Sequence, residues 1–293
     1  MTPRVLAALP GPVAWVFTSG GARAAAQVGM AEVLLEQGYA PDLIVGSSLG
    51  AVNAAGLVEA GTDLSHLRRA WRRLGSDSLF TSPGTAAVRG FAPRTGRSAR
   101  EVRSIYSEAL GPVGESAIPD NVFLIASDLQ SGNAVVLSGI SLLDAVTASA
   151  AIPVLLAPVE HAGSLTLDGG LTAAAPVLQA LEAGAGSIVL LDTGTSAVPE
   201  HTVAAMRWWQ VAALSYNHQI RSQLQHSLPR VASRIPVAVV SADAGEILDF
   251  GDPEEQFRAG RSAAAVALAS DLRDRDLSQP GVHGVLAGDR IDD

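Results

Sequence analysis

Short apolar runs alternate with longer helix-prone segments along most of the chain, and this alternation predicts the architecture. The apolar runs are continuous rather than alternating with polar residues, which is typical of strands buried on both faces. Predicted strands cover residues 13–17, 43–45, 121–127, 134–137, 165–167, 187–191 and 236–241. We therefore predict an α/β fold with a mainly parallel central sheet that carries helices on both faces.

The helix-prone segments begin and end at recognisable signals. Gly38 follows the first, Ser141 and Asp144 form a capping pattern, and Asp252 precedes a proline at a helix start. Predicted helices cover residues 24–36, 49–60, 64–74, 98–109, 141–150, 177–183 and 203–228, with another from residue 252. With no repeat and no clear linker, residues 1–273 are expected to form one domain, followed by a loose C-terminal tail, 274–293.

Composition excludes several functional classes. The 293 residues include no cysteine, which excludes disulfides, thiolate metal sites and a cysteine nucleophile. The net charge is −9 without a basic block, which disfavours nucleic-acid binding. There is no apolar run of 18 residues, so no membrane-spanning helix is expected. The mostly apolar stretch within residues 1–17 contains the first predicted strand and runs directly into the Gly20-Gly21 turn, so we interpret it as mature sequence of a cytoplasmic protein.

The segment Gly46-Ser47-Ser48-Leu49-Gly50 joins an apolar strand to a helix-prone run. A serine on such a turn adopts a strained backbone, and glycines two residues before and after it let strand and helix approach closely. Ser48 is therefore the candidate nucleophile, with Gly46 and Gly50 completing its elbow. The alternative is a tight structural turn.

A second glycine turn follows the first predicted strand, at Ser19-Gly20-Gly21-Ala22-Arg23. The carboxyl ends of parallel strands share one edge of a sheet, so this turn is expected beside Ser48. Its backbone N–H groups, together with that of Leu49, are candidates for an oxyanion hole. The alternative is that the two glycines only permit a tight turn.

The general base is less evident from the residues alone. None of the six histidines has a local context typical of a catalytic triad, although His161 and His283 come nearest. Asp168 follows a short strand and precedes two glycines, so it is a candidate base if burial raises its pKa above the usual ~3.9. It is equally interpretable as a turn-capping side chain.

Five segments in order resemble the patatin-like phospholipase family over about residues 13–192. They are 19–29 with the glycine turn, 42–51 with Ser48, 126–132, 148–153, and 168–177 with Asp168. The resemblance implies a three-layer patatin-like sandwich and a Ser48–Asp168 dyad without histidine. It also implies an oxyanion hole near Gly20, Gly21 and Ala22, and neither metal nor cofactor. Ser19 and Ala24 stand where this family commonly has glycine.

The resemblance implies a serine acyl hydrolase that cleaves fatty-acyl esters of phospholipids or related lipids. Alternatives are a carboxylesterase, thioesterase or acyltransferase on small or carrier-bound acyl groups, or a catalytically weak acyl-binding protein. Arg23 is a candidate phosphate contact or a support for its loop. Residues 76–97 and the Trp208-Trp209 region are candidates for a lipid-facing rim with peripheral membrane contact, although a packing role is favoured. The arginines within 68–73 are interpreted as a solvated helix face, with a contact to lipid phosphate as the alternative, and the oligomeric state is left open.

Overall fold

The computed structural model describes residues 5–58, 63–76, 103, 106, 107, 110–153, 156–194 and 206–287. Nine strands in these ranges form one sheet in the order β5-β6-β3-β2-β1-β7-β8-β9, with β4 paired to β3 outside that path. The strands are β1 Val13–Phe17, β2 Leu43–Ser47, β3 Val122–Asp128, β4 Ala134–Val136, β5 Val159–His161, β6 Ser164–Asp168, β7 Ser187–Asp192, β8 Pro236–Ser241 and β9 Gly281–His283.

The sheet is mainly parallel, as predicted. β1 lies at its centre, where Trp15 pairs with Ile44 of β2 and Val189 of β7. The pairs β2–β3, β7–β8 and β8–β9 are also parallel, whereas β4, β5 and β6 run antiparallel to their neighbours. The antiparallel β6 brings its last residue to the edge where β2 ends.

Helices cover both faces of this sheet. They are α1 Ala25–Glu36, α2 Leu49–Gly56, α3 Ser65–Ser76, α4 Leu142–Ser149, α5 Gly170–Ala173, α6 Val177–Glu182, α7 Trp208–Ala232 and α8 Pro253–Val266. Alternate side chains of β1 enter different cores: Trp15 packs with α1 and α2, and Val16 packs with α6 and α7. Two apolar cores separated by one sheet make the predicted three-layer sandwich.

Several predicted bounds differ from the structure. The helix expected over 203–228 runs over Trp208–Ala232 and includes Pro229 in its last turns, where the proline carbonyl still accepts a hydrogen bond from Ser233. The tail expected to be loose contributes β9, which pairs with β8 from Pro236↔Gly281 to Ala238↔His283. β5 and β9, each of three residues, lie outside the predicted strands.

Some predictions concern residues that lie partly or wholly outside the described ranges. These are the irregular segment 76–97, most of the helix expected over 98–109, and the side chains of Trp208 and Trp209. Within the part of the chain that the structure describes, no helix is both long and apolar enough to cross a bilayer.

Candidate active site

Ser48 lies at the sharp turn between β2 and α2. Its backbone has φ 58° and ψ −136°, which is a strained conformation for a residue with a Cβ atom. A Cβ at Gly46 would lie 2.6 Å from the Ala54 Cβ, and one at Gly50 would lie 2.6 Å from the Phe17 carbonyl oxygen. The two flanking glycines therefore let the strand, the turn and the helix pack at this distance.

The side chains of Ser48 and Asp168 converge although 120 residues separate them. The Ser48 hydroxyl donates to Asp168 Oδ2 at 2.6 Å, and both side chains are buried. β3 brings them together, because Ser47 pairs with Ile125 on one side of this strand and Asp168 pairs with Ala126 on the other. The fold thus forms the hydrogen bond expected of a Ser–Asp dyad.

The second oxygen of Asp168 is also held. The Gly170 N–H and the Tyr216 hydroxyl each donate to Oδ1 at 2.8 Å. Burial raises the pKa of Asp168 to about 6, although the hydrogen bonds from Ser48, Tyr216 and Gly170 oppose this shift. A carboxylate with such a pKa is a far better proton acceptor near neutral pH than an exposed aspartate.

Ser149, at the end of α4, supports the turn of the nucleophile. Its hydroxyl accepts from the Ser48 N–H at 3.0 Å and donates to the Ile125 carbonyl at 2.5 Å. The Ser149 carbonyl accepts from the Gly169 N–H at 2.9 Å. One residue therefore contacts both halves of the site, a role that its local sequence did not predict.

The glycine turn after β1 lies beside this pair, but it offers fewer donors than predicted. Gly21 has φ +58°, and a Cβ there would lie 2.7 Å from Ile247 Cγ1. The Ala22 N–H donates to the Ile247 carbonyl at 2.9 Å, so the expectation that Ala22 faces an oxyanion is corrected. The N–H groups of Gly20, Gly21 and Leu49 have no acceptor among the described residues.

Arg23 is fully buried beneath this turn. Its Nη2 donates to Asn217 Oδ1 at 2.7 Å and its Nε to the Gly20 carbonyl at 3.4 Å. Burial lowers the pKa of Arg23 to about 10, and the nearby Asp192 and Asp243 carboxylates oppose this. Arg23 is therefore charged at neutral pH, and its contacts favour the loop-supporting role over a phosphate contact.

Histidines and possible metal ligands were the remaining candidates for this site. No histidine in the described ranges hydrogen-bonds to Ser48 or Asp168; His66 and His283, for example, contact the carbonyls of Gly56 and Gln279. Also within these ranges, no group of three or more His, Asp or Glu side chains is placed to hold a metal ion.

The arginine-rich helix α3 is tied to acidic residues of neighbouring helices. Arg68 pairs with Glu32 of α1 at 2.6 Å and with Glu254 of α8 at 3.4 Å. Arg72 pairs with Glu254 at 2.6 Å. Arg68 and Arg72 thus link α3 to α1 and α8. The face of α3 that was expected to be only solvated therefore also carries ion pairs between helices.

Ser48 has a strained backbone at a strand–helix turn and is hydrogen-bonded to the buried Asp168 at one edge of a mainly parallel sheet. This arrangement defines a candidate serine acyl hydrolase site. The model of the patatin-like phospholipase family matches residues 15–181, which is more than half of the chain and contains both Ser48 and Asp168. This chain belongs to the patatin-like phospholipase family.

The chain is also similar to several known proteins. An uncharacterized NTE family protein of Mycobacterium bovis is 28% identical over 288 residues, which cover 86% of this chain and 46% of that protein. The lysophospholipase NTE1 of Candida glabrata is 25% identical, covering 94% of this chain and 17% of that protein. The crystal structure of the type III effector ExoU covers 92% of this chain and 54% of its own, with 15% identity and a TM-score of 0.43. This chain thus spans about half the length of the mycobacterial relative.

Proposed function

We propose that this chain is a serine lipid acyl hydrolase that cleaves fatty-acyl esters of phospholipids or related lipids. Ser48 is the proposed nucleophile and Asp168 the proposed general base. The observation that carries the proposal is the 2.6 Å hydrogen bond from the Ser48 hydroxyl to a carboxylate whose pKa burial raises to about 6. Membership of the patatin-like phospholipase family supports the same class of reaction.

The proposed reaction has two steps. Ser48 Oγ attacks the ester carbonyl carbon while its proton moves to Asp168 Oδ2, and the tetrahedral intermediate then collapses to an acyl-enzyme. The departing alcohol oxygen takes the proton from Asp168. A water molecule next attacks the acyl-enzyme and gives a proton to Asp168, which returns it to Ser48 Oγ as the fatty acid leaves.

The proposed oxyanion hole consists of the N–H groups of Gly20, Gly21 and Leu49. Their lack of acceptors among the described residues supports this assignment. Each donor that strengthens in the transition state contributes about 3 kcal/mol to lowering the barrier. The Leu49 N–H opens α2, where the helix dipole also favours negative charge.

The substrate class rests on the family and on one relative's name. A lysophospholipase among the relatives makes phospholipids and lysophospholipids the first substrates to test. A peripheral contact with a membrane surface and a cytoplasmic location remain predictions. So do the alternatives of an esterase, thioesterase or acyltransferase and of a catalytically weak acyl-binding protein.

A substrate panel tests the proposal. The purified protein is given p-nitrophenyl esters of increasing acyl length, phosphatidylcholine vesicles and lysophosphatidylcholine, and Ser48→Ala is run beside it. We expect preference for long acyl chains, fatty-acid release from one of the phospholipid substrates, and loss of both in the variant. Turnover of short esters alone would indicate the esterase alternative. Turnover that persists in Ser48→Ala would contradict the proposal.

A further inference from the structure

A tyrosine from outside the matched family region reaches the proposed base. Tyr216 lies on α7, C-terminal to residues 15–181, and its hydroxyl donates to Asp168 Oδ1 at 2.8 Å. Asp168 Oδ2, the other oxygen of this carboxylate, accepts from Ser48. The two hydroxyl groups therefore hold the carboxylate from both of its oxygens.

This contact belongs to an extended attachment of α7 to the turn that follows Asp168. Gln219 Nε2 donates to the Leu171 carbonyl at 2.7 Å, and Gln223 Nε2 donates to the same carbonyl at 2.8 Å. The Ala174 N–H donates to Gln223 Oε1 at 2.8 Å. Positions 216, 219 and 223 share one face of a helix, so α7 presents its tyrosine to Asp168 from a fixed position.

The space around the Tyr216 hydroxyl depends on a glycine. A Cβ at Gly170 would lie 2.5 Å from Ser19 Oγ and 2.8 Å from Asp168 Oδ1, and it would overlap the Tyr216 hydroxyl oxygen. Burial and the Asp168 charge raise the pKa of Tyr216 well above its usual value, so its hydroxyl stays protonated and donates. Burial raises the pKa of Tyr106 as well, and the Asp168 charge adds to this shift.

We propose that Tyr216 is a positioning residue of this hydrolase, whose hydroxyl orients the Asp168 carboxylate toward Ser48 and stabilises its ionised form. The inference rests on the proposed function, because it gives Asp168 the role of the base. Tyr216 itself contacts Asp168 and not the reacting serine. Loss of the Tyr216 hydroxyl should therefore change the pKa of Asp168 as well as the reaction rate.

The test compares Tyr216→Phe with Tyr39→Phe, using the pH dependence of kcat/KM on the best p-nitrophenyl ester. Tyr39 is a matched control, because it is also half-buried and its hydroxyl accepts a hydrogen bond from the Leu6 N–H away from the dyad. Loss of a hydrogen bond to a charged group is expected to lower kcat/KM about tenfold in Tyr216→Phe. The acidic limb of the pH profile of kcat/KM should move to higher pH by about one unit, because Asp168 loses a hydrogen-bond donor that favours its charged form. Tyr39→Phe should keep the wild-type limb.

A second variant covers the case in which Tyr216→Phe does not fold. Gln223→Ala removes the hydrogen bonds that attach α7 to the Leu171 carbonyl and the Ala174 N–H, so it should weaken the Tyr216 contact and move the acidic limb in the same direction. A folded variant of either kind with reduced activity but an unmoved limb would overturn the positioning role. Absence of turnover in the wild type, or full labelling of Ser48→Ala by a fluorophosphonate, would instead overturn the proposed function.

Discussion

The buried carboxylate of Asp168 is expected to reduce the stability of the folded protein, and Asp168→Asn tests this. The asparagine has nearly the same shape and carries no charge. Its oxygen is able to accept from the Gly170 N–H and the Tyr216 hydroxyl, and its amide to donate to Ser48 Oγ. The perturbation therefore removes the charge while keeping the packing and one hydrogen bond each to Gly170, Tyr216 and Ser48, the last with its direction reversed.

The magnitude follows from the pKa of Asp168. Burial raises this pKa from 3.8 to about 6, a shift of about two units, and each unit corresponds to about 1.4 kcal/mol. The unfolded chain loses this proton near pH 4 and the folded chain near pH 6. Between these values the folded state binds more protons, so the stability of the wild type falls as the pH rises through this window. Above it, the ionised Asp168 costs about 3 kcal/mol, which Asp168→Asn avoids.

The assay is urea unfolding at pH 5, 6.5 and 8. Asp168→Asn should be more stable than the wild type at pH 8, with a gain of up to about 3 kcal/mol that shrinks toward pH 5. Asp128→Asn is the control, because the pKa shift of Asp128 has the opposite sign to that of Asp168. Hydrogen bonds from Ser164 and Ser131 lower the pKa of Asp128 to about 2. That variant should show no gain at pH 8. A stability difference between Asp168→Asn and wild type that is zero or constant across this pH range would contradict a raised pKa of Asp168 in the folded protein.

Three further predictions concern activity and folding. The kcat/KM of the wild type should fall with a midpoint near pH 6 as the solution is acidified, because Asp168 must be ionised to accept a proton. A profile of kcat/KM that is flat from pH 5 to 8 would contradict this. Asn53→Ala should lower the free energy of unfolding, measured in urea, by about 3 kcal/mol. The buried Trp71 indole N–H donates to Asn53 Oδ1 at 2.8 Å and would lose its acceptor. A loss below about 0.5 kcal/mol would contradict this. Gly50→Ala should lower the Tm strongly, since its Cβ would lie 2.6 Å from the Phe17 carbonyl oxygen; an unchanged Tm by circular dichroism would argue against that close packing.

The sequence predicts most of the sheet because the buried strands and the glycine turns are local signals. The glycines around Ser48 encode the close approach of strand and helix, and a short strand before Asp168 encodes its position at a strand end. Tyr216 has no such local signal, since its role depends on where α7 packs against a turn 48 residues earlier. The Ala22 N–H was misassigned for a related reason, because its acceptor is the carbonyl of the distant Ile247.

In the proposed reaction the hydroxyl of Ser48, activated by Asp168, is the nucleophile. Reaction of the protein with a fluorophosphonate probe, followed by peptide mass spectrometry to locate the adduct, tests this role. Ser47→Ala is the matched control, because Ser47 is the neighbouring buried serine and its hydroxyl has no hydrogen-bond partner among the described residues. We expect a single adduct on Ser48 in wild type and Ser47→Ala, and none in Ser48→Ala. An adduct of equal yield in Ser48→Ala would contradict this role.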